Sequence, residues 1–251
     1  MLQSSGQGDG PSTSGSEQAS SYVGQIVAPG DIVLDLTQAG KLVRIGGGLQ
    51  QDGTSLVVTK AGRLRHTKPS KYWVEGSQRR YVPAVEDVVV GVVVERYAEH
   101  LVIDIGGPVT ALLPALAFEG ATRRNKPNLN IGDSVYARVT STSRDTEPTL
   151  ACHDASGRAA GFGPLAKGYL FQCSTGLART LLSRPTCAVL EALGGGLSFE
   201  LAVGMNGKVW VDAASAAITV LVANAIINSE FLSPTQAKIM VKSLLKQVQQ
   251  P

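Results

Sequence analysis

The sequence is poor in cysteine and histidine, with three of each among its 251 residues. The cysteines are odd in number and widely separated, which argues against a disulfide framework and fits a reducing compartment. No set of these side chains has the spacing of metal ligands. The residues concerned are Cys152, Cys173, Cys187, His66, His100 and His153. The sequence therefore predicts neither a metal nor another cofactor.

Long apolar runs are absent as well. None approaches the roughly 20 residues that a membrane-spanning helix needs, so no membrane partner is expected. The N-terminal stretch is polar and does not have the pattern of a secretory signal. Residues 1–20 are rich in Ser, Gly and Gln and have almost no large apolar side chain. Because such a segment cannot offset the entropy of ordering, we predict a flexible tail.

Catalytic motifs are also missing. The sequence has neither a nucleophile elbow nor a set of kinase loops. No Gly-Lys-Ser/Thr follows Gly46-Gly-Gly48, and Pro164 follows Gly161-Phe-Gly163 where a dinucleotide-binding turn would continue. The acidic residues form no cluster suited to two-metal phosphodiester hydrolysis. We expect a protein that is not an enzyme and has no small-molecule substrate.

The net charge of +3 is small but unevenly distributed. Residues 1–84 hold nine basic and six acidic residues, residues 85–157 hold six and ten, and residues 158–251 hold eight and four. The basic ends are compatible with binding to nucleic acid or to an acidic protein surface. They are equally compatible with ordinary surface charge.

Residues 21–84 are predicted to form a small β domain that ends near Pro83. Ile32, Leu34 and Leu36 alternate with other residues at the period of a strand. Basic and aromatic residues then interleave: Arg63, Arg65, His66, Lys68, Lys71, Tyr72, Trp73, Arg79, Arg80 and Tyr81. This pattern is typical of surfaces that bind single-stranded RNA, and also of the solvated face of a small sheet.

Residues 85–157 contain five strand segments in about 70 residues without a strong helix, which favours an antiparallel OB-fold barrel. Gly91 predicts a bend or bulge, and Pro114 predicts a strand edge or break. A polar loop, Gly120 to Asn128, carries Arg123, Arg124 and Lys126. This loop is the best basic cluster of the barrel, and its alternative interpretation is an ordinary solvated loop.

Residues 158–251 are predicted to form an α/β domain around Gly204-Met-Asn-Gly207. Strand-like alternation flanks this stretch, and Asn206-Gly207 predicts a tight hairpin turn with positive φ at both residues. The alternative is the Gly-x-x-Gly nucleotide clamp of KH domains, which normally joins two helices.

Two helices are predicted after the hairpin. Asp212 is a candidate cap for the first, which runs to about Asn228. Ser233-Pro-Thr-Gln236 is a capping box that opens the last helix. The expected apolar face of that helix contains Ile239, Leu244, Leu245 and Val248.

The domain order and several motifs give the chain a resemblance to a known family. It resembles the cap subunits of the eukaryotic RNA exosome, of the ribosomal RNA-processing protein 40 type, over nearly its whole length beyond the tail. The motifs that carry this resemblance are Pro29-Gly-Asp31, Arg63-Leu-Arg-His66, Tyr72-Trp-Val74, Arg80-Tyr-Val-Pro83, Phe118-Glu-Gly-Ala-Thr-Arg-Arg-Asn-Lys-Pro-Asn128, Gly157-Arg-Ala159 and Gly204-Met-Asn-Gly-Lys-Val-Trp-Val211.

The resemblance implies a noncatalytic RNA-binding cap subunit. Its expected fold is multi-domain and mostly β, with a small N-terminal β domain, a five-stranded S1-type OB barrel and a KH-like α/β domain. Its expected partners are RNase PH-like ring subunits, other cap subunits and single-stranded RNA, and its expected role is to stabilise the ring and guide RNA into the pore for 3'-to-5' decay. The expected location is the nucleus and nucleolus, and also the cytoplasm. Two alternatives are an assembly clamp without RNA contact and another cap subunit of the same complex.

Two groups of residues are assigned from the sequence and the resemblance. The RNA-binding candidates are Arg123, Arg124, Lys126, Tyr97, His100, Arg138 and Arg144. The residues expected to hold the hairpin against the barrel are Gly204, Asn206, Gly207 and Trp210. The chain departs from the family at Ala160, where relatives often have Asn. It also has Leu101, Val102 and Ile103 in the strand where RNA-binding S1 domains often have Phe.

Overall fold

The computed structural model describes residues 22–37, 42–76, 80–143, 145–183 and 186–249, with side chains up to residue 246. Arg79, Arg144 and the predicted tail over residues 1–20 lie outside these ranges. The chain divides into two units, at the boundary between residues 77 and 78.

The N-terminal unit consists of two small sheets. Its strands are β1 (Ile26–Val27), β2 (Ile32–Asp35), β3 (Arg44–Ile45), β4 (Leu49–Asp52), β5 (Ser55–Val58), β6 (Gly62–Thr67) and β7 (Lys71–Glu75). One sheet has the order β1-β6-β7-β3, and the other has the order β2-β5-β4. The buried core of the unit includes Val33, Leu56, Val58, Leu64 and Val74.

The second unit begins with a closed barrel. Its strands are β8 (Val88–Arg96), β9 (His100–Asp104), β10 (Ala111–Pro114), β11 (Ser134–Ser141) and β12 (Thr149–Ala151). The order β12-β10-β9-β8-β11 is closed by pairing of β12 with β11. Alternate residues of β11 are buried, as its period requires. A further strand, β13 (Gly163–Leu165), pairs with the first three residues of β11.

The barrel confirms the predicted five strands and corrects two details. It is not antiparallel throughout, because β10 and β12 pair in parallel. The bulge of β8 lies between Val93 and Glu95 and not at Gly91. Gly91 serves close packing instead, since a Cβ there would come within 2.2 Å of the Ile103 Cγ2 atom. Strand β10 ends at Pro114, as predicted.

The C-terminal part forms a three-stranded antiparallel sheet covered by helices. Its elements are β14 (Tyr169–Gln172), α1 (Thr175–Leu181), α2 (Ala188–Gly194), β15 (Phe199–Val203), β16 (Lys208–Ala213), α3 (Ala216–Asn228) and α4 (Pro234–Gln249). The strand order is β14-β16-β15. Phe171, Leu193, Val211, Ile226 and Val241 lie in the shared core. This arrangement confirms the predicted α/β content.

The helix predictions were confirmed only in part. Asp212 lies within β16, and the cap of α3 is Ser215, whose side chain accepts a hydrogen bond from the Ile218 amide at 3.3 Å. The capping box of α4 is present, with the Ser233 amide donating to the Gln236 side chain at 3.0 Å. Ile239 was wrongly placed on the buried face, because it is 68% exposed. Leu244 and Leu245 do pack on the core, whereas the Val248 side chain lies outside the described residues.

Candidate nucleic-acid interface

One end of the barrel brings together Tyr97 and His100, two of the predicted RNA-binding residues. They flank the short turn between β8 and β9, where the Tyr97 amide donates to the His100 carbonyl at 2.9 Å. Their rings stack with centroids 4.9 Å apart and planes at 28°. The Tyr97 hydroxyl donates to Glu95 at 2.6 Å, and Tyr97 is 54% exposed. The pair therefore presents an aromatic surface to solvent at the end of the barrel.

The loop Gly120–Asn128, named here the basic loop, lies against this turn. The Lys126 ammonium donates to the Ala98 carbonyl at 2.9 Å, which anchors the loop beside Tyr97 and His100. Thr122 and Asn125 exchange backbone hydrogen bonds of 3.0 and 3.1 Å. Arg123 and Arg124 occupy the centre of that tight turn and are exposed. Five of the seven RNA-binding candidates thus lie at this end of the barrel.

A cleft of about 450 Å³ begins at the aromatic pair and runs over the outer face of the barrel. Val94, Val102 and Leu112 form its apolar floor, and Glu95 and Glu147 add acidic groups to its wall. Sequence reasoning missed this floor, although strand alternation indicates it: Leu101 and Ile103 are buried, so Val102 between them faces outward. Where S1 domains often have Phe, this barrel offers Val102, and the aromatic surface comes from Tyr97 and His100.

Arg138 does not join this group. It pairs with Val88 at the start of β8, about 30 Å along the strand from Tyr97. Its guanidinium forms an ion pair with Glu86 and donates to the His153 carbonyl at 3.4 Å. Only 12% of its side chain is exposed. These contacts give Arg138 a structural role in the barrel. Arg144, the last of the seven candidates, lies outside the described residues.

The Gly204–Gly207 turn is buried against the barrel. It differs from the predicted two-residue primed turn, because Gly207 donates to the Gly204 carbonyl at 3.0 Å and only Gly207, at φ 79°, is left-handed. The Asn206 side chain is 4% exposed. Its amide donates to the Val90 and Ile105 carbonyls at 2.7 and 2.8 Å, and its oxygen accepts from the Val90 amide at 3.3 Å.

These contacts complete the hydrogen bonding of β8. Strand β9 ends at Asp104, which lies opposite Val92. The first four residues of β8, from Val88 to Gly91, therefore have no partner in β9. The Met205 amide donates to the Val88 carbonyl at 2.7 Å, and Asn206 satisfies Val90. Gly204 permits this approach, because a Cβ there would lie 2.6 Å from the Val90 nitrogen. The turn therefore acts as a substitute strand and has no open backbone face for a nucleotide.

Trp210 adds an apolar contact between the barrel and the α/β domain. It is 5% exposed and packs with Val90 and Ala202, beside the half-buried Tyr136, Leu165 and Leu170. Its indole N–H donates to the Lys167 carbonyl at 3.0 Å. The four residues assigned to the hairpin thus lie at one joint between barrel and α/β domain.

Lys208 and Asp104 form an ion pair at this joint that the sequence did not reveal. The Lys208 ammonium lies 2.8 Å from the Asp104 carboxylate and 2.9 Å from the Asp104 carbonyl. Burial raises the pKa of Asp104, but hydrogen bonds from Lys208 and the Gly106 amide, together with the charge of Lys208, outweigh it. The net result is a pKa below the ordinary value of Asp.

The ion pair predicts a pH dependence of stability. Because the folded pKa of Asp104 is lowered, its stabilisation is present above the ordinary Asp pKa of 3.8 and is lost as pH falls through the folded value. We expect Asp104→Asn to lower the free energy of unfolding by less than about 1 kcal/mol near neutral pH, since the carboxylate is 52% exposed. Denaturant melts at several pH values should show the difference from wild type shrinking below about pH 4.

Glu99→Gln is the matched control for this experiment, because Glu99 is exposed and forms no ion pair among the described residues. A difference that stays constant through acid pH would contradict the assigned role of Asp104.

Other reactive groups in the described part of the chain are few. No group of three or more His, Cys, Asp or Glu residues there is arranged to hold a metal ion. Burial raises the pKa of the Cys152 thiol to about 12 and that of Cys173 to about 11, which keeps both as thiols at neutral pH. No helix of the described residues is long and apolar enough to cross a membrane.

A closed five-stranded barrel joined to an α/β domain through a buried Gly-x-Asn-Gly turn defines an S1–KH protein of the RNA-binding class. Exosome complex component rrp40 of Schizosaccharomyces pombe is 42% identical over 230 residues, covering 88% of this chain and 94% of that protein. Exosome complex component RRP40 of Homo sapiens is 40% identical over 200 residues, covering 77% of this chain and 72% of that protein. The chain therefore belongs to the exosome complex component RRP40 family.

Family models agree with this assignment, and a solved structure agrees with the fold. Residues 81–163 match the S1 domain of exosome complex component RRP40, residues 168–217 match a KH domain, and residues 25–77 match the N-terminal region of mammalian RRP40. A crystal structure described as an exosome complex RNA-binding protein aligns with a TM-score of 0.56 at 18% identity. It covers 68% of this chain and all of that one, and it supports the fold.

Proposed function

We propose that this chain is a noncatalytic cap subunit of an RNA exosome that contacts single-stranded RNA at the Tyr97 end of the barrel. The observation that carries the proposal is the Lys126–Ala98 hydrogen bond of 2.9 Å, which ties the loop with two exposed arginines to the turn of the stacked aromatic pair. Arginines attract phosphates, and aromatic rings stack on bases regardless of sequence. The names of the relatives support membership of the complex.

The finer role follows from the family resemblance. In this proposal, the subunit binds RNase PH-like ring subunits and other cap subunits, stabilises the ring and guides RNA into the pore for 3'-to-5' processing and decay. It works in the nucleus and nucleolus, and also in the cytoplasm. Affinity purification followed by identification of the co-purifying chains tests the partners, and fluorescence microscopy of the tagged chain tests the location.

Removing the two loop arginines tests RNA contact. We expect Arg123→Ala with Arg124→Ala to weaken binding of an oligouridylate RNA and to lower the slope of log affinity against log salt by about 1.4, or roughly 0.7 per phosphate contact on a single strand. The melting temperature should not change, because both side chains are exposed. A fluorescence anisotropy titration at several salt concentrations measures the slope.

The matched control removes two exposed lysines from α4, in the variant Lys242→Ala with Lys246→Ala. Both variants lose the same charge, so a general electrostatic effect would appear in both. Equal slopes for wild type and the arginine variant would exclude phosphate contact by the loop.

A specific observation supports one alternative, an assembly clamp without RNA contact. Glu95 and Glu147 line the cleft beside the aromatic pair and repel phosphates. The alternative requires unchanged RNA crosslinking and unchanged ring assembly in the arginine variant. Absence of catalysis is tested separately, by incubating the purified chain with labelled RNA and Mg²⁺ or Mn²⁺. Turnover that persists through purification would overturn the noncatalytic role.

A further inference from the structure

The N-terminal unit carries a second basic surface that the proposed function does not use. The register of β6 and β7 places Arg63 opposite Glu75, Arg65 opposite Trp73 and Thr67 opposite Lys71. Leu64 and Val74, which alternate with them, point into the core and are 0% and 1% exposed. The pairings of β1 and β3 add Ile26 and Arg44 to the outward side. We name this surface the Trp73 face; it comprises Ile26, Arg44, Arg63, Arg65, Lys71 and Trp73.

Charges in this unit are segregated between its two sheets. Among residues 22–37 and 42–76, all three aspartates lie in or beside β2 and β4 of the other sheet: Asp31, Asp35 and Asp52. The Trp73 face has four basic side chains, and Glu75 lies on the same side of the sheet and pairs with Arg65 at 2.6 Å. The Arg65 side chain remains 46% exposed in that pair. The face therefore has a net positive charge that the other sheet does not share.

Trp73 lies among these charges and is partly exposed. The Lys71 ammonium is 5.9 Å from the centroid of its ring. Gly46 follows β3, and its amide donates to the Tyr72 carbonyl at 2.7 Å. A Cβ at position 46 would lie 2.7 Å from the Trp73 Cβ, so the close approach of the chain to the base of the Trp73 side chain requires glycine. The indole is thus partly exposed and lies beside a cation.

We propose that the Trp73 face is a second site for single-stranded RNA, with Trp73 stacking on a base and Arg44, Arg63 and Lys71 contacting phosphates. An aromatic ring flanked by cations on a sheet surface is the arrangement that sequence-tolerant single-strand binding uses. An acidic protein surface would use the cations but would not need an aromatic ring among them. This site goes beyond the proposed function, because the barrel end can bind RNA whether or not the Trp73 face does.

The first test uses the full-length chain and an oligouridylate RNA. We expect Trp73→Ala to weaken binding about 5-fold or more, the lower range for loss of one stacked base, and Trp73→Phe to keep most of the affinity. RNA should also quench the fluorescence of Trp73, since Trp210 is 5% exposed and shielded. The quenching should persist in the Arg123→Ala/Arg124→Ala variant, which separates this site from the barrel end.

The second test does not depend on the core, because it changes exposed side chains only. Arg44→Gln with Lys71→Gln should lower the slope of log affinity against log salt by about 1.4, whereas Lys242→Gln with Lys246→Gln should retain the wild-type slope. Thermal melts establish that each variant is folded. If quenching is absent and the slope is unchanged, the inference is wrong. If the variants keep RNA affinity but lose co-purifying proteins, the Trp73 face is a protein-docking surface and the inference is also wrong.

Discussion

Replacing Trp210 with alanine is expected to lower the free energy of unfolding of the second unit by about 3–5 kcal/mol, the usual cost of deleting a large buried aromatic side chain. The indole is 5% exposed and contacts barrel and α/β domain together. The hydrogen bond from its indole N–H to the Lys167 carbonyl is lost as well. Domains are stable by only about 5–15 kcal/mol, so the variant should melt roughly 10 °C lower and yield less folded protein.

Thermal and denaturant melts measure this effect, and Trp210→Phe is the conservative control. Phenylalanine keeps most of the apolar contact and loses only the N–H donor, so its effect should be smaller. RNA titration of the folded fraction of Trp210→Ala should give near wild-type affinity. An unchanged melt with abolished RNA binding would instead indicate that the hairpin contacts nucleotides.

Replacing Asn206 with alanine is expected to have an effect of similar size. The substitution leaves the Val90 amide, the Val90 carbonyl and the Ile105 carbonyl without their partner at a buried joint. A buried polar group left unpaired costs about 1–3 kcal/mol, so the loss should be about 3 kcal/mol or more. Asn206→Asp should be at least as severe, because it removes both donors and places a carboxylate beside two carbonyl oxygens.

Hydrogen exchange gives a local measurement of the same joint. The Val90 amide donates to Asn206 at 3.3 Å, so Asn206→Ala should reduce its protection more than that of Val135 or Val139 in β11. Asn130→Ala is the matched control, since Asn130 is exposed and the hydrogen bond of its backbone amide to Asp133 does not use its side chain. Wild-type protection at Val90 in the Asn206 variant would contradict the substitute-strand role.

The features that could be read from the sequence are those set by neighbours along the chain. The capping box at Ser233 depends on residues three apart. Strand alternation predicted the barrel strands because every second residue must face the core. The hairpin was found for the same reason, although its turn type was wrong: a turn between Gly204 and Gly207 needs only one left-handed residue, whereas the predicted turn needs two.

The errors have a common physical cause. Asp212 is an acceptable helix cap by chemistry, yet strand pairing with Glu200 extends β16 past it and moves the cap to Ser215. Ile239 has the right spacing for a buried helix face, but Ala237 and Val241 lie against the core instead. In both cases, packing against a distant element outweighed a weak local preference.

The sequence by itself determined most strand and helix segments, the polar basic loop and the presence of a hairpin at Gly204–Gly207, because local hydrogen bonding and hydrophobic period encode them. The S1 and KH-like domain types came from the resemblance of its motifs to a known family. Only the tertiary structure decided which groups meet. Asn206 and Val90 are 116 residues apart, Lys208 and Asp104 are 104 apart, and Arg138 and Glu86 are 52 apart. No pattern along the chain specifies such pairs, since each depends on where barrel closure leaves an unpaired backbone group or an uncompensated charge. In the closed barrel, Lys126 donates a hydrogen bond to the Ala98 carbonyl. Arg138 instead forms an ion pair with Glu86, apart from the other RNA-binding candidates.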